Sequence, residues 1–363
     1  MELTLLKKTT VLLLGLFLSF EVFVTIRNFA VQQGDLHLYY DLSAYIIVQG
    51  KLPYRDFGLE YPPFAILPML LPQLLCQIGA TGFRGFVVFF AIQNLMVGLS
   101  IGQVLFHTAK AFLKEPEANE IRYIYWILWG ISLPIFLFRY DGFVALSTLL
   151  VIYCIANRFP FAAGIWLTVG IFAKLYPLVF LSPIVLFYFV NKQYRFLFLF
   201  LGGIAMLTLL IFFGMYHTVG GDFLLFLKYH KLRGIQVESF VGGGLTLLYK
   251  IQGIIPKTIA NYGAIHLVIP GTAFFLKVMS WGFPIAYLLL SGVIYYFFNR
   301  QNQVPMQTLL VAMGSTLLAF VIFNKVFSPQ YLIWLLPIIP FLSPKILYCF
   351  AAAFVLTIII YPG

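Results

Sequence analysis

The sequence predicts an all-α, polytopic membrane protein, and three observations carry the prediction. Hydrophobic residues make up 62% of the 363 and charged ones only 10%. Mean hydropathy is +0.96, far above the soluble range. Apolar runs of near-spanning length recur to the C-terminus, and none shows the alternation of a barrel strand; in lipid only helices and closed barrels satisfy their own backbone. One membrane domain over residues 1–363 is expected, with no separate soluble unit.

The first span, Val11 to Ile26, follows Lys7-Lys8 and lacks a small-residue cleavage site, so it reads as an uncleaved anchor. Further apolar segments fall near 64–78, 84–106, 123–138, 142–157, 161–174, 175–190, 196–214, 272–298, 305–323, 330–343 and 346–361. Short turns holding Arg158, Lys192 with Arg195, Arg300, and Lys345 should face the cytoplasm together with the N-terminal lysines. These turns agree with one another only if one segment between Gly34 and Lys110 does not cross. The stretch 64–78, FAILPMLLPQLLCQI, is short and follows or contains Pro63, Pro68 and Pro72, which makes it the non-crossing one, lying along or dipping into the outer leaflet. About 11 transmembrane helices then remain. They leave a first outer loop at about 28–83 with juxtamembrane helices, a second at about 215–270, and a mixed-charge cytoplasmic loop at 107–122. Cys76, Cys154 and Cys349 are scattered without metal-ligand spacing and read as packing residues.

The polar residues gather on the outer side of this map. Gly34 to Phe64 holds four acidic residues, two basic ones, a histidine and five tyrosines between apolar walls. Charge beside lipid is costly unless it faces water or a ligand, so this reads as a working surface. Within it LHLYYDLSAYIIVQ has the three- and four-residue apolar steps of an amphipathic helix ended by Gly50, with Asp35 at its N-cap. Asp35 either only caps that helix or is a carboxylate able to take a proton from a hydroxyl. Asp41, six residues on, falls about 240° round the helix and off that face. Tyr39, Tyr40, Tyr45, Tyr54 and Tyr61 crowd the same loop, where rings can stack on a sugar. The outer face also carries Arg139-Tyr140-Asp141, Lys174, the loop YHKLRGIQVES, and Lys325 to Gln330. Cations in such number suggest an anionic ligand, with lipid phosphate the first candidate and no nucleic acid expected. Asp141 is read as a partner for Arg139. Glu21 lies among phenylalanines and receives no role. Gly242-Gly243-Gly244 permits a tight turn or a moving loop.

Five segments together carry a resemblance: GDLHLYYDLSAYIIVQGKLPYRDFGLEYPPF, FRYDGFVALSTLL, AGIWLTVGIFAKLYPLVFL, YHKLRGIQVES and NKVFSPQYLIWLLPIIP. In this order they resemble the GT-C glycosyltransferases, in particular the polyprenyl-phosphate-mannose-using enzymes of family 87. The resemblance implies a cofactor-free, metal-independent, inverting transfer of a sugar from a polyprenyl-phosphate donor to a lipid or glycan hydroxyl, at the extracytoplasmic face of a bacterial plasma membrane. It implies Asp35 as general base, ahead of Asp41. Arg233 with His230 would receive phosphate, since a guanidinium fork binds phosphate bidentately. Tyr39, Tyr54, Arg55, Glu60, Arg139, Lys174, Glu238, Lys325 and Gln330 complete the expected substrate site. Asp35-Leu36-His37 lacks the second carboxylate of the Asp-x-Asp loop found in some relatives, which argues against a metal. The alternative class is a transporter or flippase of lipid-linked sugars, which would need polar residues along a path through both leaflets.

Overall fold

The computed structural model describes residues 24–27, 29, 32–79, 81–261 and 263–360. Most of the expected anchor at 11–26, and Glu21 with it, lies outside them. Residues 32–47 form helix α1. Its inner face buries Leu36, Tyr39, Leu42 and Ser43, at the spacing expected of an amphipathic helix. The helix stops at residue 47, before Gly50 at φ +64°. Asp35 is not at its start, because residues 32–34 are already helical. The N-cap reading of Asp35 is therefore corrected: the side chain projects from within the helix, one turn before Tyr39.

A 3-10 turn at Pro63–Ile66 leads into α2, Leu67–Ile78. Its 12 residues reach about 18 Å, well short of a hydrocarbon core of roughly 30 Å. It lies against α3 (Gly82–Lys110), where the Gln93 amide donates to the Pro68 carbonyl at 2.7 Å. Helix α4, Glu115–Phe136, follows almost at once. The cytoplasmic loop expected at 107–122 thus shrinks to a short turn. Pro116 is compatible with a first helical turn, Glu115 and Glu117 complement the helix dipole there, and the Glu117 carboxylate accepts the Lys114 N–H at 3.0 Å.

Next come α5 (Asp141–Ala156), α6 (Pro160–Ala173), a 3-10 turn at Tyr176–Phe180, α7 (Leu181–Val190) and α8 (Tyr194–Val219). A 3-10 turn at Gly220–Leu224 precedes α9 (Leu225–Leu232) and α10 (Phe240–Ile251). The long helices α11 (Thr272–Asn299) and α12 (Met306–Phe323) and the terminal α13 (Pro344–Ile360) complete the bundle. The protein is mostly helical. Among the described residues four helical stretches are long and apolar enough to cross a membrane: Gly82–Lys110, Tyr194–Leu232, Thr272–Asn299 and Met306–Phe323.

Two features depart from the all-α expectation. Strands β1 (Lys257–Asn261) and β2 (Ala264–Val268) form an antiparallel hairpin between α10 and α11. Its edge is extended by residues 235–237, through Val237 N–H to Ile265 O at 3.0 Å and Leu267 N–H to Ile235 O at 2.8 Å. Ile235, Leu245, Leu267, Ile269 and Met279 give this region its own small core. A hairpin fits here because the segment lies between helices, outside the apolar runs, where its edges are not forced into lipid. The expected span 330–343 is also not an α-helix. It runs as 3-10 turns, Pro329–Leu335 and Ile339–Phe341, with residues 331–340 all buried. Pro329, Pro337 and Pro340 remove the amide donors an α-helix needs, and irregular backbone at membrane depth survives only when protein surrounds it.

Close packing of α6 on α8 depends on two glycines. A Cβ on Gly164 would stand 2.2 Å from the Phe200 carbonyl oxygen, and one on Gly203 2.2 Å from that of Phe161. Lipid supplies no hydrophobic force between helices, so such close approach is what holds them. Gly203→Ala should therefore lower thermal stability by about 1–3 kcal/mol, while Gly202→Ala, with nothing within 4 Å of the added carbon, should be neutral or better; equal melting of the two variants would contradict this account.

Topology has its own test. Arg55 lies in the loop after α1, and Glu120 in the first turns of α4, about 24 Å of helix before that helix ends at Phe136. Cysteines at Arg55 and at Glu120, both exposed, should label with an impermeant reagent from opposite sides of the membrane. Labelling of both from one side would make 64–78 a crossing segment.

Candidate active site

The polar end of the bundle encloses a cavity of about 460 Å³. Its walls come from residues far apart in sequence: Asp35 and Tyr39 of α1, Glu60 and Tyr61 of the first loop, and Arg139-Tyr140 before α5. They continue with Lys174 and Tyr176 after α6, Tyr229 to Glu238 around the end of α9, and Lys325 to Trp334 after α12. Of the expected site residues, the cavity brings together Asp35, Tyr39, Glu60, Arg139, Lys174, His230, Arg233, Glu238, Lys325 and Gln330. Four cations, Arg139, Lys174, Arg233 and Lys325, stand in it against three carboxylates, Asp35, Glu60 and Glu238.

Three expected residues lie elsewhere. Asp41 is exposed and outside the lining, on the other face of α1 as its spacing from Asp35 requires. Arg55 is held at the surface by Asp56, whose two carboxylate oxygens accept its Nε and terminal N–H at 2.9 and 3.0 Å. That fork, helped by the Leu52 N–H, pulls the Asp56 carboxyl down to about 2. Tyr54 faces a neighbouring cavity of about 340 Å³. It adopts φ +66° and donates its hydroxyl to the Tyr61 carbonyl at 2.6 Å, so it shapes the loop that presents Glu60 and Tyr61.

Two ion pairs order the cavity. The Arg139 guanidinium meets the Asp35 carboxylate, and its Nε donates to Gln32 Oε1 at 3.1 Å. Gln32 in turn donates to the Pro134 carbonyl at 3.0 Å, and Asn94 donates to the carbonyls of Leu137 and Arg139 at 2.9 and 3.2 Å. Asp141 does not pair with Arg139 as expected. Fully buried at the start of α5, it receives the Lys174 ammonium at 2.6 Å and the indole N–H of Trp334. The correction is one of helix geometry: Asp141 opens α5 and turns inward toward the end of α6, while Arg139, two residues earlier, reaches back to α1.

Aromatic rings make the rest of the wall. Tyr39, Tyr61 and Tyr140 meet edge to face with centroids 5.6 to 6.5 Å apart. Tyr176, Trp334 and Tyr331 form a stack at 4.1 and 3.9 Å, and the Lys174 ammonium lies 4.9 Å from the Tyr140 centroid and 5.2 Å from that of Trp334. Tyr140, Tyr176, Tyr331, Trp334, Gln32 and Asn94 were not among the expected site residues. The first four lie in segments that carry expected residues; Gln32 and Asn94 each stand beside another amide, Gln33 and Gln93, and an amide pair in an apolar run has no spacing that marks a site.

The loop after α9 is strapped over the cavity. The Lys325 ammonium donates to the carbonyls of Lys231 and Arg233 at 2.9 and 2.6 Å, and the Lys325 carbonyl accepts the Gln236 N–H at 2.9 Å. Two of its three donors thus hold the loop. Burial and the positive charge of Arg233 lower the Lys325 ammonium below its ordinary value, and the same two causes lower the His266 imidazole. Ser239 caps α10, its hydroxyl accepting from Gly242 N–H at 3.0 Å and donating to Gln236 O at 2.7 Å. The expected glycine turn at 242–244 is therefore helical; a Cβ on Gly242 would stand 2.0 Å from the Gln236 carbonyl oxygen.

The Asp141 pair gives a stability prediction. Asp141→Ala leaves the Lys174 charge in a buried site without its carboxylate, which should cost about 3–5 kcal/mol. The double change Asp141→Ala with Lys174→Met should recover most of that loss in thermal unfolding. A single variant as stable as the parent would deny the pair its structural weight.

With this geometry in view, the chain is similar to GPI mannosyltransferase 1 of Eremothecium gossypii, at 26% identity over 323 residues that cover 86% of this chain and 72% of that protein. No family model matches the chain, and no solved structure matches it. The similarity is to a mannosyltransferase and does not single out family 87. Together with the apolar helices it makes the chain an integral, multi-pass membrane protein with a likeness to a membrane glycosyltransferase across most of its length.

Proposed function

We propose that this chain is a membrane mannosyltransferase of the GT-C kind that takes mannose from a polyprenyl-phosphate donor and passes it to a hydroxyl acceptor, with inversion, in a cavity open to the extracytoplasmic side. The observation that carries the reading is that one cavity holds Asp35 together with Arg139, Lys174, Arg233, Lys325 and His230, drawn from chain segments up to 290 positions apart. The similarity to a GPI mannosyltransferase favours mannose as the sugar and a glycolipid as the acceptor.

The chemistry asked of these residues is modest. The acceptor hydroxyl attacks the anomeric carbon as its proton passes to the Asp35 carboxylate. The bond between that carbon and the phosphate oxygen breaks, and polyprenyl phosphate leaves with the electron pair, its charge met by Arg233 and Lys174. One base is enough for inversion without hydrolysis. Asp35 is bound to Arg139; a donor phosphate that draws Arg139 toward itself would free the carboxylate to meet the acceptor hydroxyl. The tyrosine cluster and the Tyr176–Trp334–Tyr331 stack offer apolar faces for a pyranose ring. Support for an enzyme over a carrier comes from the distribution of polarity: the paired cations and carboxylates collect at one end of the bundle, with no charged path onward among the described residues, while α5, α6 and α12 bury Leu149, Ile152, Leu167 and Leu310.

Asp35→Asn keeps an oxygen for Arg139 but cannot accept a proton. With purified protein, polyprenyl-phosphate-mannose and a glycolipid acceptor, donor binding should persist while turnover falls by on the order of 10² to 10⁴; near-normal turnover in a folded variant would sink Asp35 as base. Arg233→Lys retains charge and loses the fork, so donor affinity should weaken by about 1–3 kcal/mol. Treatment with EDTA should leave activity intact, and its loss would contradict the metal-independent mechanism.

A further inference from the structure

The opposite end of the bundle holds a separate cavity, of about 410 Å³, between the ends of α5 and α7 and the start of α12. It shares no residue with the first, and it lies where the positive-inside count places the cytoplasm. Its polar lining is Arg158, Asn191, Gln193, Gln303, Gln307 and Tyr188, with no carboxylate, over an apolar floor that includes Phe187, Phe196 and Met306. Tyr188 is 1% exposed, and its hydroxyl has no hydrogen-bond partner among the described residues. A buried orphan hydroxyl costs roughly 1–3 kcal/mol, so one kept at the wall of a cavity points to a missing acceptor.

A second observation comes from the backbone. Helices α5 and α7 both end in this mouth, and both end the same way. Phe159 N–H bonds to Cys154 O at 2.7 Å and Arg158 N–H to Ile155 O at 3.1 Å; Gln193 N–H bonds to Tyr188 O at 2.8 Å and Lys192 N–H to Phe189 O at 3.0 Å. These are Schellman caps, whose left-handed residue is usually glycine. Here the left-handed residues are Arg158 at φ +62° and Lys192 at φ +57°. A side chain in that conformation costs about 1–2 kcal/mol that glycine would avoid, and at both caps the residue so placed is a cation. The mouth is also fixed in shape: the Asn191 amide donates to Val304 O at 3.2 Å and accepts Val304 N–H at 2.8 Å, tying the α7–α8 turn to the α11–α12 turn.

We infer that this cavity binds the phosphate headgroup of an anionic phospholipid of the inner leaflet. Arg158 and the Tyr188 hydroxyl donate to the phosphate, Lys192 adds charge at the rim, and the apolar floor receives the start of an acyl chain. Basic pockets between membrane helices on the cytoplasmic side suit such headgroups. A donor-rich, carboxylate-free lining with an apolar base fits an amphiphilic anion better than a soluble one.

The test uses the full chain purified in a neutral detergent, with short-chain phosphatidylglycerol, phosphatidylcholine of the same chain length, and inorganic phosphate as probes. Melting temperature and lipid retention in native mass spectrometry are the readouts. Phosphatidylglycerol should raise the melting temperature and remain bound, and the other two should not. Arg158→Gly relaxes its cap, so the variant should melt no lower than the parent without lipid, yet lose the phosphatidylglycerol shift; Lys192→Gly should behave alike with a smaller loss. Tyr188→Phe should raise the half-saturating lipid concentration about fivefold, the worth of one hydrogen bond. Equal shifts from phosphatidylglycerol and phosphatidylcholine, an inorganic-phosphate shift as large as the lipid's, or an undiminished lipid shift in both Arg158→Gly and Tyr188→Phe would each overturn the assignment.

Discussion

The buried carboxylate of Asp141 is the constraint on which the polar end of this bundle depends. It opens α5, has no exposure to solvent, and is met by an ammonium from the end of α6 and an indole N–H from the segment after α12. A charge in such a place is tolerable only when paired and hydrogen-bonded. Satisfying it fixes three chain segments relative to one another, and those segments carry Lys174, Tyr176, Gln330, Tyr331 and Trp334 into one wall. The second pair, Asp35 with Arg139, ties α1, already packed through Leu36, Tyr39 and Leu42, to the segment before α5. The cavity thus follows from the need to neutralise two carboxylates in an apolar bundle.

Irregular backbone is the other cost the fold bears at this end. The stretches Tyr176–Phe180 and Pro329–Leu335 run as 3-10 turns, and each follows a cavity lysine, Lys174 or Lys325, by a few residues. Proline prevents a continuous α-helix there. Burial of the freed carbonyls and amides inside protein makes the irregularity affordable, and the result is that Tyr176 and Trp334 lie face to face, which two regular helices at the same places would not allow.

The two ends of the bundle use charge differently. At the cavity end cations are interleaved with carboxylates and rings, so that each is held in a set direction. At the other end Arg158 and Lys192 stand at helix C-termini with no carboxylate in the adjoining cavity. Cations there also complement the helix dipoles, but that effect does not require the left-handed backbone these two residues adopt.

Much of the design was legible in the chain. Composition alone gave a helical membrane protein, the three- and four-residue steps gave α1 and its end before Gly50, and polarity against apolar walls picked out Asp35, Arg139, Lys174, His230, Arg233 and Lys325, which the fold brings into one cavity. Local pattern suffices for these because burial of a charge must be justified wherever it occurs. What the sequence could not decide was partnership. Whether Asp141 meets Arg139 or Lys174 depends on which way α5 turns its first residues, whether Asp35 caps α1 or projects from within its first turn depends on how far the helix extends backward, and whether 330–343 spans as a helix or coils inside the protein depends on neighbours that can enclose its unpaired backbone. The hairpin at Lys257–Val268 and the amides of Gln32 and Asn94 were equally hidden, since their hydrogen bonds run to segments distant in sequence. Sequence periodicity records which faces avoid water or lipid; only the tertiary structure determines which charge finds which partner, because pairing energy depends on distances that no local spacing encodes.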